Sequence, residues 1–154
     1  MERRGRPKRP PRHADPHHDD ERDRTMPNRG PASQAGADEW DELLSRIMQA
    51  QQALDEATTH LRLAEAALMA EAATGRNEPL MLAWTCLDLQ SMLRDAGGNV
   101  EDLDIEQATA AEHLSAAADV LDAIAASDRP ADLVLVRARL QGLRAQVAAT
   151  ADPA

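Results

Sequence analysis

The sequence contains almost no aromatic residues. Trp40 and Trp84 are present, but there is no phenylalanine or tyrosine among the 154 residues. Ligand pockets, and the platforms on which single-stranded nucleic acids stack, usually draw on aromatic side chains. The composition therefore disfavours an enzyme or a base-stacking protein and predicts an aliphatic core. We expect no catalytic residue, no cofactor and no small-molecule ligand.

Cysteine and long apolar runs are also scarce. Cys86 is the single cysteine, which excludes an intramolecular disulfide, and its spacing to Leu82 and Leu89 predicts a buried, unreactive thiol on an apolar helical face. The sequence has no run of about 18 apolar residues. Its basic start is followed by proline and charge, not by the apolar core of a signal peptide. We therefore expect a cytoplasmic protein without a membrane partner.

The basic residues are concentrated at the start of the chain. Residues 1–30 hold 9 of the 17 Lys and Arg and 6 of the 27 Asp and Glu, which gives +3 there and leaves −13 for the remainder. An acidic body repels DNA and anionic membranes, so only the tail has the charge to approach either. Residues 1–37 have few aliphatic side chains and are predicted to be a disordered tail. Translation that begins at Met26 is an alternative that would remove most of it.

The tail contains a short motif with a known counterpart. Residues 3–10 read RRGRPKRP, and the four residues at their centre are Arg4, Gly5, Arg6 and Pro7. This centre resembles the AT-hook, a DNA-binding element whose two arginines lie in the minor groove of A·T-rich DNA, where the negative potential is concentrated. The resemblance implies groove contacts from the two arginines and phosphate contacts from Lys8 and Arg9. A solvated basic tail that binds nothing is the alternative.

Potential metal ligands also occur in the tail, among them His13, His17 and His18. Structural and catalytic zinc sites need ligands that are held in tetrahedral geometry. A disordered tract of histidine and aspartate provides no such geometry. The Glu-x-x-His signature of di-iron bundles is also missing, because alanine stands three residues before both His60 and His113. The sequence predicts no metal site.

Leucine or isoleucine and alanine alternate at four- and three-residue spacing in two parts of the chain. The first series is Leu43, Ile47, Ala50, Leu54, Ala57, Leu61, Ala64 and Leu68, and the second is Ala110, Leu114, Ala117, Leu121 and Ile124. Such heptad spacing is typical of helices that pack along a narrow apolar seam. Alanine at alternate seam positions allows the helix axes to approach closely.

Four helices are predicted, at about 38–73, 78–96, 105–126 and 130–149. Asp38 is the expected N-cap of the first helix, Asp104 and Gln107 form an expected capping box for the third, and Gly97-Gly98 is expected to end the second. Short connections favour an antiparallel up-down four-helix bundle over residues 38–150. The first helix is longer than its partners, so part of it is expected to project or to pair with a second copy.

His60 and His113 each stand immediately before a seam leucine. An acidic helical bundle with an exposed histidine resembles the histidine phosphotransfer domains. Neither residue is followed by the lysine and glycine of that family's motif, so phosphotransfer is not expected. We predict ordinary polar residues at the flanks of their helices, with Glu56 as the partner of His60 one helical turn away.

These observations lead to two functional hypotheses. The first is a non-catalytic helical module that binds another protein or a second copy of itself through its apolar helical faces. The alternative is a DNA-associated protein that uses the AT-hook-like tail. The oligomeric state of the protein and the salt dependence of any DNA binding distinguish the two hypotheses.

Overall fold

The computed structural model describes residues 31–151. In this range it contains four α-helices, α1 (Pro31–Ala72), α2 (Asn77–Asp95), α3 (Ala110–Ala123) and α4 (Ala131–Ala151), together with one 3-10 turn (Ala126–Asp128) and no β-strand. The predicted all-helical fold class is thereby confirmed for the described residues. The chain divides after Glu39 into two units. The core, from Leu54 to Val147, lies within the second unit, which begins at Trp40.

The first helix begins earlier than its expected cap. It starts at Pro31, so residues 31–37 are helical and not part of a disordered tail, and Asp38 lies inside the helix. Proline is well tolerated in the first turn of a helix because the first N–H groups have no intrahelical partner. The remainder of the predicted tail, residues 1–30, lies outside the described residues.

The third helix begins later than predicted. Thr109 is its N-cap, and Thr109 Oγ1 accepts a hydrogen bond from the Glu112 N–H (3.2 Å) while Glu112 Oε2 accepts one from the Thr109 N–H (2.8 Å). This capping box satisfies two N–H groups at the start of α3. The box predicted at Asp104 and Gln107 is therefore wrong, because those residues lie in the non-helical segment before α3.

The core is aliphatic, and all four helices contribute to it. The α1 seam is buried from Leu54 to Leu68, and the α3 seam is buried from Ala110 to Ile124. The predicted packing through these seams is confirmed there. At the start of the α1 series, in contrast, Leu43 and Ile47 are 41% and 54% exposed.

Helix α4 packs against both α2 and α3. Arg137 Nε donates to Asp122 Oδ1 (2.7 Å) on α3, and Arg144 donates to Ser115 Oγ (3.1 Å) farther along the same helix. Residue numbers therefore rise along α4 as they fall along α3. The two helices are antiparallel neighbours.

Two hydrogen bonds join α1 to α2 and to the residues that directly follow α2. Gln51 Nε2 donates to the carbonyl oxygen of Gly97 (2.7 Å), and Gln90 Nε2 donates to Glu65 Oε2 (2.7 Å). Residue numbers rise along α1 as they fall along α2. These two helices are also antiparallel.

The contacts of α3 do not confirm the predicted up-down order. Arg46 near one end of α1 pairs with Asp128, which follows α3, and His60 farther along α1 contacts His113 near the start of α3. Helix α3 is therefore antiparallel to α1, whereas strict up-down alternation requires the first and third helices to be parallel. The connection between α2 and α3, residues 96–109, is longer than predicted and runs along α1.

Polar side chains on α1 hold this segment in place. Asp55 Oδ1 accepts a hydrogen bond from the Asn99 N–H (2.8 Å), and Thr59 Oγ1 accepts one from the Glu101 N–H (2.9 Å). Four residues of helix rise about 6 Å, and two residues of extended chain advance about 6.6 Å. Residues 99–101 therefore advance by about the same distance as residues 55–59 of α1, so successive hydrogen bonds between them can form. Asp55 and Thr59 are buried because this segment covers them.

Candidate functional site

Two histidines meet inside the bundle, one from α1 and one from α3. His60 Nδ1 and His113 Nδ1 are 3.2 Å apart, and the two residues are only 8% and 4% exposed. The ring centroids are 5.5 Å apart, and the rings are tilted by 40°. At this distance the Nδ1–H of one ring donates a hydrogen bond to the unprotonated Nδ1 of the other ring. The two side chains therefore form a hydrogen bond between α1 and α3. The sequence had predicted two separate polar residues at the flanks of these helices.

The surroundings favour the uncharged form of both rings. Burial lowers the pKa of His60, an effect partly opposed by Glu56, whose Oε1 lies 3.9 Å from His60 Nε2. Burial also lowers the pKa of His113, and the nearby His60 lowers it further, while Glu112 acts in the opposite direction. A doubly protonated pair would place two N–H groups face to face and lose the hydrogen bond.

The stability of the fold is expected to fall between pH 8 and pH 5. Both pKa values lie below the ordinary 6.5 in the folded chain, so the unfolded chain takes up protons first as the pH falls. The stabilisation is complete above pH 6.5 and is lost as the pH falls through the folded-state pKa values. Urea denaturation at several pH values measures this dependence.

A variant with both histidines replaced by glutamine provides the control for this pH dependence. Its free energy of unfolding is expected to change less between pH 8 and pH 5 than that of the parent chain. An equal pH dependence in the two proteins would contradict a role for the pair. The pH should stay at or above 5, because the pKa of Glu112 is also lowered, by its hydrogen bonds to Thr109, and its loss of charge contributes in more acidic solution.

The sequence does contain a signal for this pair. His60 and His113 stand at the same heptad position, directly before a seam leucine and three residues after a seam alanine. Flanking positions of two packed helices face each other across the seam and often hold interacting polar residues. This pattern predicts a contact between His60 and His113 only if α1 and α3 are known to be antiparallel neighbours. The predicted alternating order excluded that arrangement.

A cavity of about 350 Å³ adjoins His113 on the surface between α1 and the segment that precedes α3. Its walls are mainly aliphatic. The lining residues are Leu63, Ala66, Ala67, Ala70, Ile105, Glu106, Gln107, Ala108 and His113. His60 is not among them, so His113 is the member of the pair that reaches the cavity.

A second feature is an exposed apolar stripe near the start of α1. It consists of Trp40, Leu43, Leu44, Ile47 and Met48, all of which are exposed. Trp40 and Met48 are the most accessible, at 66% and 71%. We call these five residues the α1 stripe. An apolar patch of this kind on a protein surface is characteristic of an interaction site.

The α1 stripe borders an apolar groove of about 270 Å³. Leu43 and Ile47 form one wall, and Ile124, Pro130 and Leu133 form the opposite side. Arg46 pairs with Asp128 at the edge of the groove, and its Nε donates to Asp128 Oδ2 (3.1 Å). The ion pair fixes α1 relative to the connection between α3 and α4, so the groove is already formed.

The remaining predictions concern residues outside these features. Cys86 is buried, as predicted, and burial together with Glu65 raises the pKa of its thiol to about 12, so the thiolate is rare at neutral pH. The residues of the AT-hook-like motif, Arg4 to Arg9, and the histidines of the tail lie outside the described residues. DNA association through them stays a prediction.

Within the described residues 31–151, no group of three or more His, Cys, Asp or Glu side chains is arranged to hold a metal ion. None of the helices there is both long and apolar enough to cross a membrane. Comparison of the chain with protein families, curated proteins and solved structures found no significant match.

Proposed function

We propose that this chain is a non-catalytic helical module that associates with a second copy of itself through the α1 stripe. The observation that carries the proposal is the continuation of the α1 seam beyond the core. From Leu54 onward the seam is buried within the molecule, whereas Leu43 and Ile47, at equivalent heptad positions, are exposed. A heptad seam is stable when a second helix covers it.

The arrangement of the bundle explains why this part of α1 is left uncovered. We propose a bundle in which every helix is antiparallel to its neighbours and the chain order is up, down, down, up. In this arrangement the helices that face α1 are α2 and α3, with 19 and 14 residues. They are about 29 and 21 Å long, whereas residues 40–72 of α1 extend for about 50 Å. A second copy supplies the missing cover.

The charges around the α1 stripe favour an antiparallel pair. Asp41 and Glu42 lie beside its start, whereas Ser45 and Gln49 flank its later part. Parallel pairing would bring the carboxylates of the two copies together at a cost in repulsion. Antiparallel pairing centred on Leu44 instead places Glu42 opposite Arg46 of the other copy, where the charges attract.

We expect the parent chain to be a dimer and the Ile47→Glu variant to be a monomer. The new carboxylate would be buried without a partner between two apolar surfaces, which weakens association by at least about 30-fold, equivalent to about 2 kcal/mol. Sedimentation equilibrium of the full chain at several concentrations measures this change. Circular dichroism checks that helicity is unchanged, as expected for a residue that is exposed in the single chain.

Trp84→Glu is the matched control. Trp84 is 57% exposed and, with Met81 and Leu87, forms a separate apolar patch on α2. This variant is expected to remain a dimer. A monomeric parent chain would overturn the proposal, and so would a Trp84→Glu variant that dissociates while the Ile47→Glu variant does not.

A cross-linking experiment tests the direction of the pair. In an antiparallel pair centred on the α1 stripe, Leu44 lies opposite Leu44 of the second copy, whereas Trp40 lies opposite Met48. Leu44→Cys is therefore expected to form an intermolecular disulfide readily, and Trp40→Cys is not. Efficient cross-linking of both variants would indicate a parallel pair. Cys86 does not interfere, because it is buried.

A further inference from the structure

The His60–His113 pair has an approximately linear geometry. The distance between the ring centroids, 5.5 Å, equals the 3.2 Å between the two Nδ1 atoms plus the distance from each centroid to its own Nδ1. The two centroids and the two Nδ1 atoms therefore lie close to one line. In an imidazole ring the bond opposite Nδ1 joins Cδ2 and Nε2. The edge of His113 that carries Nε2 therefore points away from His60.

The neighbouring carboxylate favours one direction for the hydrogen bond between the two rings. Glu56 Oε1 is 3.9 Å from His60 Nε2 and favours a proton on that nitrogen. In the neutral ring His60 then has no proton on Nδ1, so its Nδ1 accepts a hydrogen bond from the Nδ1–H of His113. His113 in turn has no proton on Nε2. That atom makes no hydrogen bond within the described part of the chain.

We propose that the cavity beside His113 binds a small, mainly apolar molecule that donates one hydrogen bond to His113 Nε2, such as a phenol or an alcohol. The cavity has the features of a small-ligand site, with a volume of about 350 Å³, aliphatic walls from α1 and Ile105, and few polar groups. The proposal is independent of self-association, because the α1 stripe lies elsewhere on α1.

The polar groups of the cavity also limit the class of ligand. A ring nitrogen without a proton accepts a hydrogen bond but cannot donate one. Glu106 is part of the lining and repels an anion. A carboxylate or phosphate is therefore excluded in favour of a neutral donor. A neutral group with one O–H or N–H donor on an apolar body satisfies both the nitrogen and the aliphatic wall, and phenol is the simplest probe of this class.

The first test is the tautomer of each ring in the full-length protein. The ¹⁵N chemical shifts of the histidine rings at pH 8 distinguish nitrogens with a proton from those without one. We expect a proton on Nδ1 but not on Nε2 of His113, and the reverse for His60. A proton on Nε2 of His113 would overturn the proposal.

The second test compares phenol with anisole, its methyl ether, which has a similar shape but no donor. Phenol is expected to move the ¹⁵N signal of His113 Nε2 and to bind about tenfold more tightly than anisole. Equal binding of the two probes, or no binding of phenol up to its solubility limit, would contradict the proposed hydrogen bond. Benzoate is expected to leave the signal unchanged.

Ala66→Leu tests the location of the site. Ala66 is exposed and lines the cavity, so the larger side chain fills the cavity without entering the core. This variant is expected to lose the phenol response. Ala148→Leu, at an exposed position of α4 away from the cavity, is expected to retain it. An unchanged phenol response in Ala66→Leu would show that phenol binds elsewhere and would overturn the assignment.

Discussion

Replacement of Leu121 by alanine is expected to lower the free energy of unfolding by about 2–5 kcal/mol. Leu121 is fully buried and lies on α3, which has only 14 residues. Leu114 is the only other leucine in that helix, and alanine and His113 make up the rest of its buried face. Small neighbours cannot move far enough to fill the space that the substitution leaves. The loss should therefore include a cavity contribution as well as lost burial.

Urea denaturation followed by circular dichroism measures this loss. Leu135→Ala is the matched control, because Leu135 lies on α4 and is 51% exposed. Its effect is expected to stay within about 0.5 kcal/mol. A loss below about 1 kcal/mol for Leu121→Ala would mean that the α3 seam is not part of the core. Leu54→Ala, at the edge of the α1 seam, is expected to fall within the same range as Leu121→Ala.

Replacement of Gly98 by alanine is expected to destabilise the fold by about 3 kcal/mol, the upper part of the usual range for overpacking. A Cβ atom at this position would lie 2.5 Å from Thr58 Oγ1, 3.0 Å from the carbonyl oxygen of Leu54 and 3.1 Å from that of Leu93. Two of these three atoms belong to the backbone, so rotation of the Thr58 side chain alone cannot relieve all three contacts. Gly98 is the point at which the chain leaves α2 and begins to run along α1.

The end of α2 explains why the chain comes so close at this point. The N–H of Gly98 donates to the carbonyl oxygen of Leu93 (2.8 Å), and the N–H of Gly97 donates to that of Arg94 (2.9 Å). This is the Schellman arrangement, and Gly97 has the positive φ of +102° that it requires. The helix end thus directs Gly98 against the backbone of α1.

Gly142→Ala is the control for this substitution. Gly142 lies within α4, and a Cβ atom there would meet no atom within 4 Å. Alanine is expected to raise the stability by about 0.5–1 kcal/mol, because glycine loses more conformational freedom on folding. The opposite signs of the two glycine substitutions are the result to be checked by urea denaturation. A stabilising effect of Gly98→Ala would show that the segment 96–109 does not lie against α1.

The sequence determined the helical seams because heptad spacing depends only on neighbouring residues. Leu61 and Leu121 are buried as their positions in the pattern predicted. The position of the start of α3 was harder to predict, because two capping motifs, at Asp104 and at Thr109, compete within a few residues. The motif at Thr109 combines threonine with glutamate, the pairing that satisfies both N–H groups.

The order of the helices could not be obtained from the same information. Apolar stripes show that a helix face is buried, but they do not show which helix buries it. Asp55 and Thr59 were two of many polar residues on α1, and their role depends on backbone N–H groups of a segment more than forty positions away. Because that segment runs along α1, α3 returns beside α1 and brings His113 to His60.

Composition and periodicity by themselves thus determined a helical protein with an aliphatic core, a buried thiol at Cys86 and a first helix longer than its partners. These properties follow from each residue and its neighbours in the chain. Only the tertiary structure decided that α1 and α3 are antiparallel, that two histidines form a hydrogen bond between them and that the α1 stripe is exposed. Those features depend on contacts between residues that are distant in the chain, and a local pattern of side chains does not specify which of these contacts form.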